Sequence, residues 1–292
     1  GMLYVDLEPN REFWDALGRL ERDVRFDPVI ERELAQIDYE DEKMQAEYGV
    51  SKEVFDTAEY GKNVKGGFTA AELTETLDRL GFDRLWVTHL TALFYEMREG
   101  NDLLGADLAR YGDRMIGYVT IPTHRLGRDA SDEIRRCVEQ YGMRGVKIYS
   151  HPDSSVAEAS STVIFETVAD LDLVVLGHFN QGECDQLMQR VPEAKVIMAH
   201  MGGTPYSDGN WHLAVEVAAR HPNLYVDTAS SMIDNGMIEY AVDHLGPEKI
   251  LFGTDMPALD PWVQRAKVEG AEITEEAKRL IMGGNVERLL GL

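Results

Sequence analysis

From about residue 69 onward two hydrophobic rhythms alternate along the chain. Thr69 and Glu72 stand three apart, as in a capping box, and Leu73, Leu77 and Leu80 then recur at helical spacing until Gly81. A short apolar run follows at 84–88 (RLWVT), and another at 115–121 (MIGYVTI). Ile134, Cys137, Val138 and Tyr141 mark a second amphipathic helix, closed by Gly142. Further runs lie at 145–149 (GVKIY), 173–176 (LVVL), 195–199 (KVIMA), 224–227 (LYVD) and 250–253 (ILFG), with room for a helix in each gap. Runs nearly continuous in Val, Ile and Leu suit parallel strands covered on both faces. With 3–7 (LYVDL) as a first strand there are eight, and eight strands alternating with helices over this length predict a single-domain (β/α)8 TIM barrel spanning 1–292. A doubly wound open sheet is the alternative, but no glycine-rich phosphate loop follows any strand.

One segment breaks the rhythm. Residues 11–67 separate the first strand from the first barrel helix, where ~2–6 residues are usual. The segment is acidic and carries helical stretches at 10–20 and 41–48, so it reads as a helical insertion, either a lid over the site or an oligomer contact.

In a barrel of this kind, active-site groups come from the C-terminal ends of the strands. Reading those positions gives Glu8, His89, His124, His151, His178, His200, Asp227 and Asp255. Five of the eight histidines therefore fall at consecutive strand ends, while His212, His221 and His244 lie in helix or loop stretches. A ring of imidazoles and carboxylates around one mouth suits a divalent ion that activates water near neutral pH. Structural roles are open to the same residues. His89 and His124 read first as partners of loop backbone, His151 as substrate contact or turn residue, and Asp227 as a helix cap or ligand-orienting group. Lys147, inside its strand, reads first as facing outward, with the barrel mouth as the alternative.

Composition narrows the partners. With 52 Asp+Glu against 29 Lys+Arg the net charge is −23, which disfavours nucleic acid and anionic membranes. No apolar stretch approaches the ~20 residues of a membrane helix, and no signal peptide is recognised. Cys137 and Cys184 are too few for a disulfide framework. Gly1 before Met2 reads as the remnant of a removed tag. The expectation is a cytoplasmic protein acting on a small molecule.

The motifs LVVLGHFN, PEAKVIMAHMGG, HPNLYVDTAS, KILFGTDMP and MGGNVERLLGL, with MRGVKIYSHP upstream, resemble the amidohydrolase superfamily, in the branch that also holds aromatic-acid decarboxylases. The resemblance covers about 69–292. It implies that His178 binds metal, that His200 is the catalytic histidine, and that Asp255 both binds metal and shuttles a proton. Family hydrolases carry a His-x-His pair on the first strand, whereas this chain has Glu8 and Asn10 there. Glu8 resembles the decarboxylase pattern, while Asn10 matches neither group. The metal set implied is Glu8, Asn10, His178 and Asp255, holding one divalent ion, zinc first, with manganese or magnesium as alternatives. His151, Tyr149, Asn180 and His89 are the candidate substrate contacts, with Tyr206, Trp211 and Trp262 behind them. The resemblance further implies a homodimer or higher homo-oligomer.

Three functions follow as expectations. The first is a metal-dependent hydrolase, in which activated water attacks an amide, ester or lactone. The second is a non-oxidative decarboxylase of an aromatic or enol-type acid, and the third is a barrel that has lost its metal and only binds.

Overall fold

The structure is a computed structural model. It describes residues 68–292 apart from 95, 123–126, 150–155, 159–160, 203–209, 231–233 and 257. The expected first strand at 3–7, the segment 11–67, and with them Glu8 and Asn10, lie outside the described residues.

The chain enters through α1 (Ala70–Leu80), capped as its sequence predicts: Thr69 accepts from the Glu72 N–H, and Glu72 reaches back to the Thr69 N–H at 3.0 Å. Leu73, Leu77 and Leu80 are fully buried. Gly81, at φ 69°, ends the helix in a left-handed cap that a side chain would strain. Seven strands follow: β1 (Leu85–Val87), β2 (Met115–Ile121), β3 (Gly145–Tyr149), β4 (Val174–His178), β5 (Lys195–Met198), β6 (Leu224–Asp227) and β7 (Ile250–Leu251). Helices α2 (Leu90–Phe94) and α3 (Met97–Tyr111) lie between β1 and β2. Then α4 (Arg128–Tyr141), α5 (Thr162–Asp170), α6 (Gln181–Arg190), α7 (Trp211–Arg220) and α8 (Met237–Leu245) each connect one strand to the next. After β7 come α9 (Pro261–Glu269), α10 (Glu275–Arg279) and α11 (Asn285–Leu290).

All seven strands pair in parallel and in sequence order, β1 to β7. This is the curled α/β sheet that the runs of Val, Ile and Leu predict, with seven of the expected eight strands among the described residues. Strand residues alternate between two apolar clusters. Val87, Val119, Val146, Val175, Val196 and Val226 pack with helix residues such as Leu77, Ile134, Ile164 and Ala214. Trp86, Tyr118, Val174, Leu176, Ile197, Tyr225 and Leu251 form the opposite, inner face. Both faces are buried, which explains why the strands show no hydrophobic–polar alternation.

Past the C-terminal end of β1, Asn101 takes over the pairing with β2. Its side chain accepts from the Thr120 N–H at 2.9 Å and donates to the Thr120 carbonyl at 3.3 Å, continuing the ladder where β1 has ended.

Candidate active site

Strand parity places the site. His178 lies two residues beyond Leu176, and Asp227 two beyond Tyr225, so both belong to the inner-face series. Lys147 is in register with Leu176 and shares that face. It is fully buried, which corrects the expectation that it faces outward. One polar residue in an apolar run carries no parity signal of its own; its register against β4 supplies it.

His200 follows β5 in a tight turn over Ala199–Gly202, in which His200 (φ 58°) and Met201 (φ 51°) are left-handed. Asp255, after β7, is left-handed too (φ 53°). Such backbone is costly outside glycine and collects at functional sites. His178, His200, Asp227 and Asp255 are all buried. Gly177 leaves room for Phe179, whose ring would stand 2.0 Å from any Cβ placed there.

The two histidines meet edge to face, with ring centroids 4.6 Å apart and Nε2 to Nε2 at 3.3 Å. Nδ1 of His200 faces the carbonyl of Ala229, which can only accept, so Nδ1 carries the proton. In the neutral ring Nε2 is then a bare lone pair pointing at His178. Asp227 organises this arrangement from below: its Oδ1 accepts from the N–H of His200 at 2.9 Å and from the N–H of Ala229 at 3.0 Å. It neither caps a helix nor stands idle; it ties the His200 turn to the loop that receives the His200 ring.

Burial shapes the charges of these residues. It pushes the Asp255 carboxyl up to about 6, with His200 and Lys147 pulling the other way. It pulls Lys147 down to about 7 against the attraction of Asp227 and Asp255. It holds His178 well below the usual imidazole value, helped by Lys147 and His200, so that ring is neutral. Oδ1 of Asp255 is buried with no hydrogen-bond partner among the described residues.

The remaining candidates are placed as follows. His89 is buried after β1, and its Nδ1 accepts from the Thr91 N–H at 3.2 Å. Asn180 is the N-cap of α6, its oxygen accepting from the Glu183 N–H at 2.8 Å. Tyr149 ends β3 in register with His178. Trp211 donates to Asp234 at 2.8 Å, and Trp262 is exposed on the first turn of α9. His124, His151 and Tyr206 lie outside the described residues. A cavity of about 430 Å³ on the inner face touches Asp227, Trp86 and Tyr118. It opens toward the N-terminal ends of the strands, at 81–85 and 282–292, and is lined by none of His178, His200 and Asp255.

A neutral imidazole and an unpartnered buried carboxylate oxygen have the donor chemistry that a divalent ion needs. Among the described residues no group of three or more His, Cys, Asp and Glu side chains is gathered closely enough to hold one. The described part of the site therefore fits as part of a ligand set.

The sequence model of the family described as amidohydrolase matches residues 66–292. The chain belongs to the amidohydrolase family. A curated relative, the 2-amino-3-carboxymuconate-6-semialdehyde decarboxylase of Dictyostelium discoideum, is 25% identical over 235 residues. That match covers 66% of this chain and 65% of the relative, so it spans just under two thirds of the relative's length. The gamma-resorcylate decarboxylase of Polaromonas is 24% identical over 251 residues, covering 67% of this chain and 76% of that protein. Among solved structures, 5-carboxyvanillate decarboxylase of Novosphingobium aromaticivorans, complexed with manganese and 4-hydroxy-3-methoxy-5-nitrobenzoic acid, shares the fold. Its TM-score is 0.68 at 16% identity, over 100% of this chain and 94% of that one.

These relatives overturn the first expectation, hydrolysis. A ring of His and Asp side chains on a metal serves activated water and bound carboxylate equally well, so the residues alone could not separate the reactions; Glu8 was the feature that leaned the other way. The preference for zinc finds no support either, since this neighbour holds manganese. No helix among the described residues is long and apolar enough to cross a membrane.

Proposed function

We propose that this amidohydrolase-family protein is a metal-dependent, non-oxidative decarboxylase of a hydroxylated aromatic or enol-type carboxylic acid, built on a closed eight-stranded barrel. The observation that carries the reading is the kinship with decarboxylases, joined to a buried Asp255, its carboxyl pushed up to about 6, beside a neutral His178 whose Nε2 meets Nε2 of His200 at 3.3 Å. In this reading His178 and Asp255 hold a divalent ion together with Glu8 and Asn10, an oxygen-rich set that suits manganese or magnesium better than zinc. Such an ion supplies Lewis acidity toward the substrate's carboxylate and adjacent hydroxyl.

The chain's own residues do the rest. Nε2 of His200, bare because Nδ1–H is engaged by Ala229, accepts a hydrogen bond from the substrate hydroxyl and makes the ring more electron-rich. The Asp255 carboxyl, buried with its Oδ1 unpartnered among the described residues, would bind the ion through one oxygen and pass a proton to the carbon bearing the carboxylate. The bond from that carbon to the carboxylate then breaks, carbon dioxide leaves, and the electron pair restores the ring. Lys147, buried on the same face, offsets the charges of Asp227 and Asp255 when protonated. His151, Tyr149, Asn180 and His89 are the proposed substrate contacts.

The test is a panel of 2- and 4-hydroxylated aromatic acids offered beside matched esters and lactones, before and after chelation and reloading with manganese. The expected result is loss of carboxylate from a hydroxy-acid, abolished by chelator and restored by manganese. Ester or lactone cleavage with every acid left intact would refute the proposal.

A further inference from the structure

Asp227 and Ala229 orient His200, and a helix distant in sequence holds them in turn. The segment after β6 forms a γ-turn about Ala229, closed by the Ser230 N–H on the Thr228 carbonyl at 2.8 Å. Two side chains from α9 grip that turn. Nζ of Lys267 donates to the Thr228 carbonyl at 2.9 Å and to the Ser230 carbonyl at 2.7 Å. Gln264, itself buried, accepts from the Ser230 N–H at 3.3 Å and donates to the Ser230 carbonyl at 3.2 Å. Lys267 also feels the charge of Asp227.

With the carbonyls on either side committed to α9, the Ala229 carbonyl is the one left to meet Nδ1 of His200. We infer that Lys267 and Gln264 are positioning residues, a clamp from α9 that fixes the Ala229 carbonyl and thereby keeps His200 in its Nδ1–H tautomer with Nε2 open to the site. The catalytic consequence rests on the decarboxylase reading, whereas the tautomer does not.

A generic loss of stability needs separating from loss of this clamp, and the fold provides a matched control. Lys249 likewise spans two backbone carbonyls, those of Ala218 and His221 at 2.5 and 2.6 Å, at the C-terminal end of α7, and bonds neither the His200 turn nor the 228–230 segment.

The experiment is nitrogen-15 NMR of histidine-labelled protein, metal-free and without substrate, on the wild type, Lys267→Met, Lys267→Arg, Gln264→Leu and Lys249→Met. In the wild type and Lys249→Met, His200 should show a protonated Nδ1 and a bare Nε2. In Lys267→Met and Gln264→Leu the two nitrogens should move toward an averaged mixture, and Lys267→Arg should restore the wild-type pattern. Turnover, read in parallel, should fall about 10- to 100-fold in Lys267→Met with KM little changed. An unaltered His200 tautomer in both Lys267→Met and Gln264→Leu would overturn the inference, as would an equal disturbance in Lys249→Met. Because two positions are read, the outcome does not hang on one variant folding. Absence of any decarboxylation by the wild type, with these spectral changes intact, would remove the proposed function and leave the clamp standing.

Discussion

His89 accepts the Thr91 N–H on Nδ1 and is pulled down to about 4 by burial, so in the folded protein it stays neutral where a free imidazole would be charged. Above the unfolded value of 6.5 neither state is protonated and His89 contributes no pH dependence. As pH falls from there toward 4 the unfolded chain gains a proton that the fold refuses, and stability drops. Between pH 7 and 5 this one residue should account for roughly 2 kcal/mol. His89→Asn keeps an acceptor for Thr91 and does not titrate, so its melting temperature should decline less than the wild type's over that interval. Parallel slopes would show that His89 is not the buried neutral group described. Lys147 illustrates the limit of reading single residues: its identity was plain in GVKIY, but its direction depended on the partner strand.

Among elements, α3 and α4 are joined by an ionic network. Glu133 takes Arg136 at 2.7 and 2.8 Å and the Asn101 amide at 3.0 Å, while Arg136 also reaches Asp102 at 2.7 Å. Burial alone would raise the Glu133 carboxyl, but the hydrogen bonds from Arg136, Asn101 and Cys137 outweigh it and hold it below the usual range. A depressed carboxylate contributes above its unfolded pKa and loses that contribution as pH falls. Glu133→Gln should therefore cost about 2 kcal/mol near neutrality and much less at acid pH. Equal losses in denaturant titrations at pH 7 and pH 4 would contradict the assignment.

Much at this scale was legible beforehand. The Thr69–Glu72 cap, the stops at Gly81 and Gly142, and all seven described strands followed from local pattern, because continuous apolar runs and capping residues act within a few positions. The α9 clamp was not legible. Gln264 and Lys267 look like ordinary helix-surface residues, and their meaning comes from the loop 34 to 39 positions earlier on which α9 lands.

For the whole molecule, the sequence located His178, His200 and Asp255 by their place at strand ends, and the structure brings the two histidines to within 3.3 Å. It could not separate hydrolysis from decarboxylation, because both use nitrogen and oxygen donors around one ion and differ only in what is bound. The decisive step is delivery of a proton to the carbon that loses its carboxylate. The most direct test runs a carboxyl-carbon-13 hydroxy-acid with the manganese-loaded protein in deuterium oxide. Each turnover should release one labelled carbon dioxide and leave one deuterium at the vacated carbon, and Asp255→Asn should give neither product. Labelled carboxylate left in place while a neighbouring ester or lactone bond gains oxygen from water would contradict it.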